Sequence, residues 1–254
     1  MNVSENRESA TGPASTDAPS SALLSALTTE HYTLQSARSS TVAEANGRSL
    51  LFLSAVSGAT VALALVAQLD RLGQTFMVFA LSVLPALLAL GLTGYARLAD
   101  LAVHDAYYAR AIGRIRSFYF TIEPEARRYW LLSAGDDPHA VMRQTGQKHS
   151  RWHHLSHAAT AVAAVTAVVA GVFVGILVAV SSSLPLVFPA VGASAVAVGM
   201  FAVLFLDQER RWRRSDQAEP TLFLPDGSPA PQVSTAPAAA PTTVPGAVPV
   251  AAIA

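Results

Sequence analysis

Four uninterrupted apolar runs, Ser49–Leu69, Thr75–Ala96, Ala158–Val180 and Leu184–Leu206, contain no Asp, Glu, Lys or Arg and leave this chain few folds to choose from. About 20 helical residues span the roughly 30 Å hydrocarbon core of a bilayer. In lipid, the backbone meets its own hydrogen-bonding needs only as a helix or a closed barrel. Runs this long and this continuous predict an all-α protein, a four-transmembrane-helix bundle. Composition points the same way: only 13% of residues are charged, about half the share usual in a soluble domain, and the formal net charge is zero. The absence of cysteine excludes a disulfide framework, a thiolate metal site and a cysteine nucleophile. Sixteen Arg against the single Lys148, with heavy Ala and Val usage, read as the codon imprint of a GC-rich bacterial genome. Met1–Glu8 lacks the basic-then-apolar order of a secretory signal, so the first run is expected to direct insertion.

The placement of positive charge predicts orientation. The connections at 70–74 and 181–183 hold one Arg between them, whereas the central segment 97–156 holds nine Lys or Arg and Arg210-Arg211-Trp212-Arg213-Arg214 follows the last run. Lys and Arg are enriched in cytoplasmic loops, so both termini and the central segment are expected inside the bacterial inner membrane. An even number of spans agrees. The short outer connections predict two hairpins, the first turning at Gly73 in a left-handed conformation. Pro85 is expected to kink the second span near Leu81, and Leu184-Pro185 with Pro189 an irregular start to the fourth. Ala163, Ala167, Gly171, Gly175 and Ala179 form a small-residue stripe on the third run that permits close backbone approach, with shorter versions at Ser54/Gly58 and Ala195/Gly199. Packing inside the bundle is the stronger reading of the stripe; a homo-oligomer seam is the alternative.

Below the spans the periodicity continues. Leu101, Asp105, Tyr108, Ile112, Ile115, Tyr119 and Ile122 alternate by four and three, as do Leu24, Leu27, His31, Leu34, Arg38, Thr41 and Ala45. Such seams predict helices packed along one another, with the first capped at Thr28 or Thr29 and the second ending at Glu123-Pro124. Arg38 and Asp105 lie on the order of 13–17 Å from their respective spans at about 1.5 Å per residue, which predicts an ion pair locking the register. A short helix from Glu125, a turn at Gly135-Asp136-Asp137-Pro138 and a helix capped by Asp136 or Asp137 complete the expected cytoplasmic helical segment 97–156. The domain plan is thus a disordered tail over 1–20, a helical membrane domain over 21–217 and a disordered Pro/Ala-rich tail over 218–254.

Three features carry candidate chemistry. His149, His153 and His157 share a helical face, with His154 beside them, and present a metal-binding or pH-sensing pattern. An interfacial belt with Arg151 and Trp152 explains the same residues more simply. The 210–214 cluster suits anionic lipid but serves first as a topology anchor. The two tails present docking segments or plain solvated chain. No P-loop, dinucleotide fingerprint, HExxH or nucleophile elbow is present. The acidic pairs Glu123/Glu125, Asp136/Asp137 and Asp207/Glu209 sit at helix ends, where capping or solvation explains them. No catalytic residue, metal site or cofactor is therefore assigned, and a neutral chain is not expected to bind nucleic acid.

Two stretches, Glu30-His-Tyr-Thr-Leu-Gln-Ser-Ala-Arg-Ser-Ser-Thr-Val-Ala-Glu-Ala-Asn-Gly-Arg48 and Ala109-Arg-Ala-Ile-Gly-Arg-Ile-Arg-Ser-Phe-Tyr119, resemble uncharacterised actinobacterial four-helix integral membrane proteins, over roughly Thr28 to Trp212. That group has no assigned activity, so the resemblance implies a setting and no mechanism. The helix-before-hairpin layout is also similar to membrane effector modules of bacterial nucleotide-signalling defence systems, although those carry one hairpin and this chain two. Two functions follow as expectations: a non-enzymatic scaffold that docks a cytoplasmic protein through its helical stalk, or an oligomeric pore-forming effector. Scarce polar lining in the runs favours the scaffold.

Overall fold

The computed structural model describes residues 19–144 and 158–231. Its long elements are α1 (Ser21–Asp70), α2 (Gln74–Ile122), α4 (Ala158–Ser181) and α5 (Val187–Ala218), with a short α3 (Pro138–Gln144) after a 3₁₀ turn over Pro124–Tyr129. All four long helices contain a segment long and apolar enough to cross a membrane. The third coincides with its apolar run to within a residue; the first and second are about twice as long as theirs.

Local chemistry sets each boundary. α1 begins at Ser21 and not at Thr28 or Thr29: the Ser20 hydroxyl accepts from Leu23 N at 3.2 Å. The two threonines instead donate to the carbonyls of Leu24 and Ser25 one turn back, the mid-helix habit of that side chain. The turn into α2 also differs from expectation. Arg71 and Leu72 adopt the left-handed conformation (φ 46° and 64°), while Gly73 sits at φ −76°. Glycine is required there for space, because a Cβ would lie 2.8 Å from Asp70 Oδ1. Asp70 needs that room to accept from Phe76 N at 3.1 Å and so satisfy the exposed start of α2. α2 then runs helically through Pro85 to Ile122, and Pro124 forces Glu123 out of helical geometry (φ −135°, ψ 84°). α5 starts at Val187, three residues later than its apolar run, after a non-helical stretch at 182–186.

α2 packs along both α1 and α4, and α5 packs chiefly on α4. Within the apolar half, Ala80, Leu84 and Leu87 of α2 meet Val169 of α4, with Ala55, Val56 and Ala59 of α1 alongside. One turn above the ends of the runs, Phe52, Tyr95, Leu98, Val162, Ala163 and Leu204 join all four long helices in one core. Beyond the runs, Leu34 packs on Ile112 and Ile115, flanked by Leu27, Tyr108 and Tyr119. All seven positions of the α1 seam are at least partly buried, while the residues between them are mostly exposed. On the other side of α2, Ala106 and Ala109 hold Val141 of α3 and Trp212 of α5.

The small-residue stripe on α4 is spent inside the bundle. A Cβ on Gly171 would run into the Ala193 carbonyl and lie 2.9 Å from Ala197 Cβ, and one on Gly175 would lie 2.8 Å from Ala193 Cβ. α4 and α5 therefore touch backbone to backbone. Gly199 of α5, by contrast, has nothing within 4 Å of a would-be Cβ. Gly171→Leu should then lower thermal stability in detergent by about 1–3 kcal/mol, the usual cost of overpacking, whereas Gly199→Leu should leave it unchanged. Differential scanning fluorimetry of the two variants checks this pair; equal effects would contradict the assigned contact.

Candidate functional site

The charged side chains of α2 that lie outside its apolar run form a two-sided ladder. At 100° per residue, Arg97 and Asp105 fall in the sector that faces α1, together with Leu101, Tyr108, Ile112, Ile115 and Tyr119, whereas Asp100, Arg110 and Arg114 fall in another. Each of these five finds an opposite charge, whereas Arg116 makes no ion pair among the described residues. Arg97 grips Glu44 with two bonds of 2.9 and 3.0 Å, and Arg48 shares the same carboxylate at 2.9 Å. Asp105 is gripped by Arg38 in a two-bond fork at 2.8 and 3.1 Å. On the other side Asp100 accepts from Arg211 at 2.6 Å, Arg110 bonds Asp216, and Arg114 reaches Asp136 at 2.7 Å.

The Arg38–Asp105 pair sits where the seam spacing places it, and each side chain keeps about a fifth of its surface in contact with solvent (22% and 19%). Two parallel bonds from a planar guanidinium fix direction as well as distance. The pair borders a cavity of about 140 Å³ lined by Thr41, Ala45, Leu98, Leu101 and Ala158, too small for a cofactor. Two arginines hold Glu44 at a pKa of about 2 through hydrogen bonds, and it in turn raises that of Arg97.

Sequence reading missed the α5 side of the ladder. Asp207 is not merely the solvated end of a span: it accepts from Arg211 at 2.8 Å and from the Tyr95 hydroxyl at 3.2 Å, and Tyr95 also donates to the Leu204 carbonyl. Thr160 and Gln208 meet at 3.1 Å one turn further along. Within the basic cluster, Arg211 is committed to Asp100 and Asp207, and Arg213 to Glu209. Arg210 and Arg214 make no ion pair among the described residues, so only half of the cluster remains for other partners. The i,i+4 spacing of Asp207 and Arg211 was a signal available in the chain.

The acidic pair in the 135–138 turn divides its labour. Asp137 caps α3, accepting from His139 N and Ala140 N at 3.0 and 3.3 Å. Asp136 is 2% exposed and does more than cap. Its carboxylate takes Arg114 Nε and also the backbone N–H groups of Leu222 and Phe223, both at 2.9 Å, while Asp136 N donates to the Phe223 carbonyl. Arg114 closes the ring by bonding the Pro220 carbonyl at 3.0 Å. The chain just past α5 is therefore strapped onto α2: it turns at Gly227 (φ 80°) against Phe120 and pairs Leu224 with Ser228. The expectation of free, solvated chain from Ala218 onward fails for 219–231, because a buried carboxylate supplies the hydrogen bonds that composition alone does not reveal.

Among the described residues no group of three or more His, Asp or Glu is placed to hold a metal. His149, His153, His154 and His157, with Arg151 and Trp152, lie outside the described residues, as do both outer tails. His104 is exposed and lines a groove of about 420 Å³ between α2 and α5 with Tyr107 and Arg214. It does not meet Asp105's partner. His31, on the α1 seam, has its pKa lowered by burial and by the nearby charge of Arg116.

No family model matches this chain, and no curated protein and no solved structure is similar to it. The geometry must speak for itself: it offers braced helices and a strapped end, with the charged groups of the ladder spent on one another.

Two outcomes test this geometry. In a double-mutant cycle of Arg38→Ala and Asp105→Ala, thermal unfolding should return a coupling of about 1–2 kcal/mol, as for a partly exposed forked pair, and the charge-swapped double variant should recover part of it. Asp136→Ala should release the strap, so that chymotryptic cleavage after Phe223 quickens by about tenfold or more, the equivalent of losing roughly 1.4 kcal/mol of local protection, with helicity retained.

Proposed function

We propose that this chain is a non-enzymatic scaffold of the bacterial inner membrane, built as two hairpins whose first pair of helices continues into the cytoplasm as a docking stalk. The observation that carries the reading is the length of α1 and α2 beyond their apolar runs. α1 starts 28 residues before Ser49 and α2 continues 26 residues past Ala96, each about 40 Å of helix at 1.5 Å per residue. A paired projection of that length, braced on both sides by ion pairs, has the character of a presenting device. The asymmetry of Lys and Arg supports a cytoplasmic stalk with both termini on its side. Arg210 and Arg214, free of internal ion pairs among the described residues, support contact with anionic headgroups where α5 leaves the membrane.

The pore-forming alternative loses its assembly surface. The stripe on α4 that would join protomers is filled by α5 within the same chain. The apolar runs also lack the charges that mark ion pathways.

Because the chain has no cysteine, single-cysteine topology mapping needs no background removal. Tyr107→Cys should react with an impermeant maleimide only after the inner membrane is opened, and Leu72→Cys in intact spheroplasts. The reverse pattern would invert the orientation and remove the stalk from the cytoplasm. Purified full chain in planar bilayers should pass no current at any applied voltage; discrete conductance steps would favour the pore.

A further inference from the structure

The far end of the stalk breaks the rule that governs the rest of it. The α2 arginines nearer the membrane, Arg97, Arg110 and Arg114, each have a carboxylate, as does Arg38 opposite them. Beyond Arg114 the cations meet aromatic rings instead. Arg116 lies over Trp130 at 5.9 Å, Arg127 over Phe120 at 5.5 Å and Arg128 over Tyr129 at 5.0 Å. Arg128 reaches Glu125 only at 3.7 Å, with both side chains well exposed. Arg143 bonds the Ser133 hydroxyl at 3.3 Å. Asp226, whose carboxylate feels the charge of Arg127, is engaged by Ser228 through both its backbone N–H and its hydroxyl.

Arg116 is the extreme case. It is 7% exposed, and its Nε and Nη1 are buried without any hydrogen-bond partner, as is Nδ1 of the neighbouring His31. Burying a guanidinium without an acceptor is costly, and a ring face offsets only part of that cost.

The same tip exposes apolar surface that no lipid explains. Tyr129 and Leu131 are almost wholly exposed (74% and 102%), and Trp130 and Leu132 are partly so. The exposed Val and Leu side chains of α1, α4 and α5 belong mostly to apolar runs that lipid covers. Tyr129–Leu132 lies outside every run, about 40 Å from the end of the second one. A groove of about 420 Å³ opens beside it, between Phe120, Arg127, Leu132 and Arg143, with Pro225 and the Ser228-bonded carboxylate of Asp226 from the strap on its rim. Four consecutive exposed apolar or aromatic residues bordered by Arg127 and Arg143, which make no ion pair among the described residues, fit one chemistry. That chemistry is an acidic segment with a leucine or aromatic anchor, its side chain in the groove and its carboxylates on the guanidinium forks.

We propose that the tip formed by Tyr129–Leu132 with Arg127 and Arg143 is the docking surface for an acidic, hydrophobically anchored peptide segment of a partner protein. This rests on the scaffold reading and narrows it from the stalk to its end. The full chain in nanodiscs is titrated with a fluorescein-labelled amphipathic Glu/Leu peptide of about 16 residues, its Lys/Leu counterpart and an oligouridine of the same length. Saturable anisotropy is expected for the Glu/Leu peptide alone, weakened by salt. It should fall about tenfold in Leu131→Ser and in Arg127→Glu/Arg143→Glu, and not in Tyr107→Ser on the mid-stalk, with all variants matched in thermal stability. Equal binding of the Lys peptide, preference for the oligouridine, absence of binding, or insensitivity to the tip variants would overturn the proposal. Photo-crosslinking in cells separates this failure from that of the scaffold reading. Benzoylphenylalanine at position 131 should capture an acidic segment identified by mass spectrometry. Capture at 107 and not at 131 removes the tip but keeps the stalk, and capture at neither removes both.

Discussion

A pair of helices about 40 Å long held by leucines, isoleucines and tyrosines has no unique alignment, because a heptad seam that slides by seven residues presents nearly the same face again. The Arg38–Asp105 fork removes that freedom. Its two bonds close only when residue 38 of α1 lies opposite residue 105 of α2, and any slip leaves both charges half-buried and unpaired. The fork also stands where the seam is weakest, since toward the membrane the α1 positions shrink to Thr41 and Ala45. Hydrophobic burial there supplies little register, so a directional interaction does the fixing.

From that register the other contacts follow. With α1 fixed against one sector of α2, Arg97 faces Glu44, and the opposite sector is left for α5 and α3. α5 reaches it through Arg211 and Asp216, and its exit from the bundle is set by backbone contact with α4 at Gly171 and Gly175. Arg114, one turn past Arg110, then carries Asp136 into position to receive the chain beyond α5. A buried carboxylate that accepts one guanidinium and two backbone N–H groups is fully compensated, which is why the strap can be ordered despite a composition rich in Pro.

Much of this architecture was legible in the chain and some of it was not, for identifiable reasons. The four apolar runs, the two seams and the 38–105 pairing are periodic features, and helix geometry converts spacing directly into facing. The end of α2 at Pro124 and the cap at Asp137 follow from local backbone chemistry. The start of α1 was misplaced because Thr28 and Thr29 suit a cap and a helix interior equally well, through their bonds to the preceding turn. The α5 side of the ladder was missed because Arg210–Arg214 reads as a block of charge. Only a partner helix distinguishes Arg211 and Arg213, which are paired, from Arg210 and Arg214. Asp136 was misread for a related reason: a carboxylate at a turn looks like a cap until residues 86 positions away are brought to it.

The contrast between the ladder and the tip then becomes a statement about where the protein leaves its charges unfinished. Along the stalk, arginine and carboxylate are matched so closely that little electrostatic attraction remains for a third party. Past Arg114 the close pairing stops: Arg128 meets Glu125 only at 3.7 Å, and aromatic rings stand beside Arg116 and Arg127 instead. A ring face attracts a guanidinium without using its hydrogen-bond donors, so the cation stays in position with its fork unspent. Arg127 at the surface is therefore held in geometry by Phe120 while its hydrogen-bond donors stay unspent, and Arg116 is held beneath Trp130. A braced shaft and a ring-held end are two different ways of placing arginine along one helix, the first by matching charge and the second by stacking it on aromatic faces.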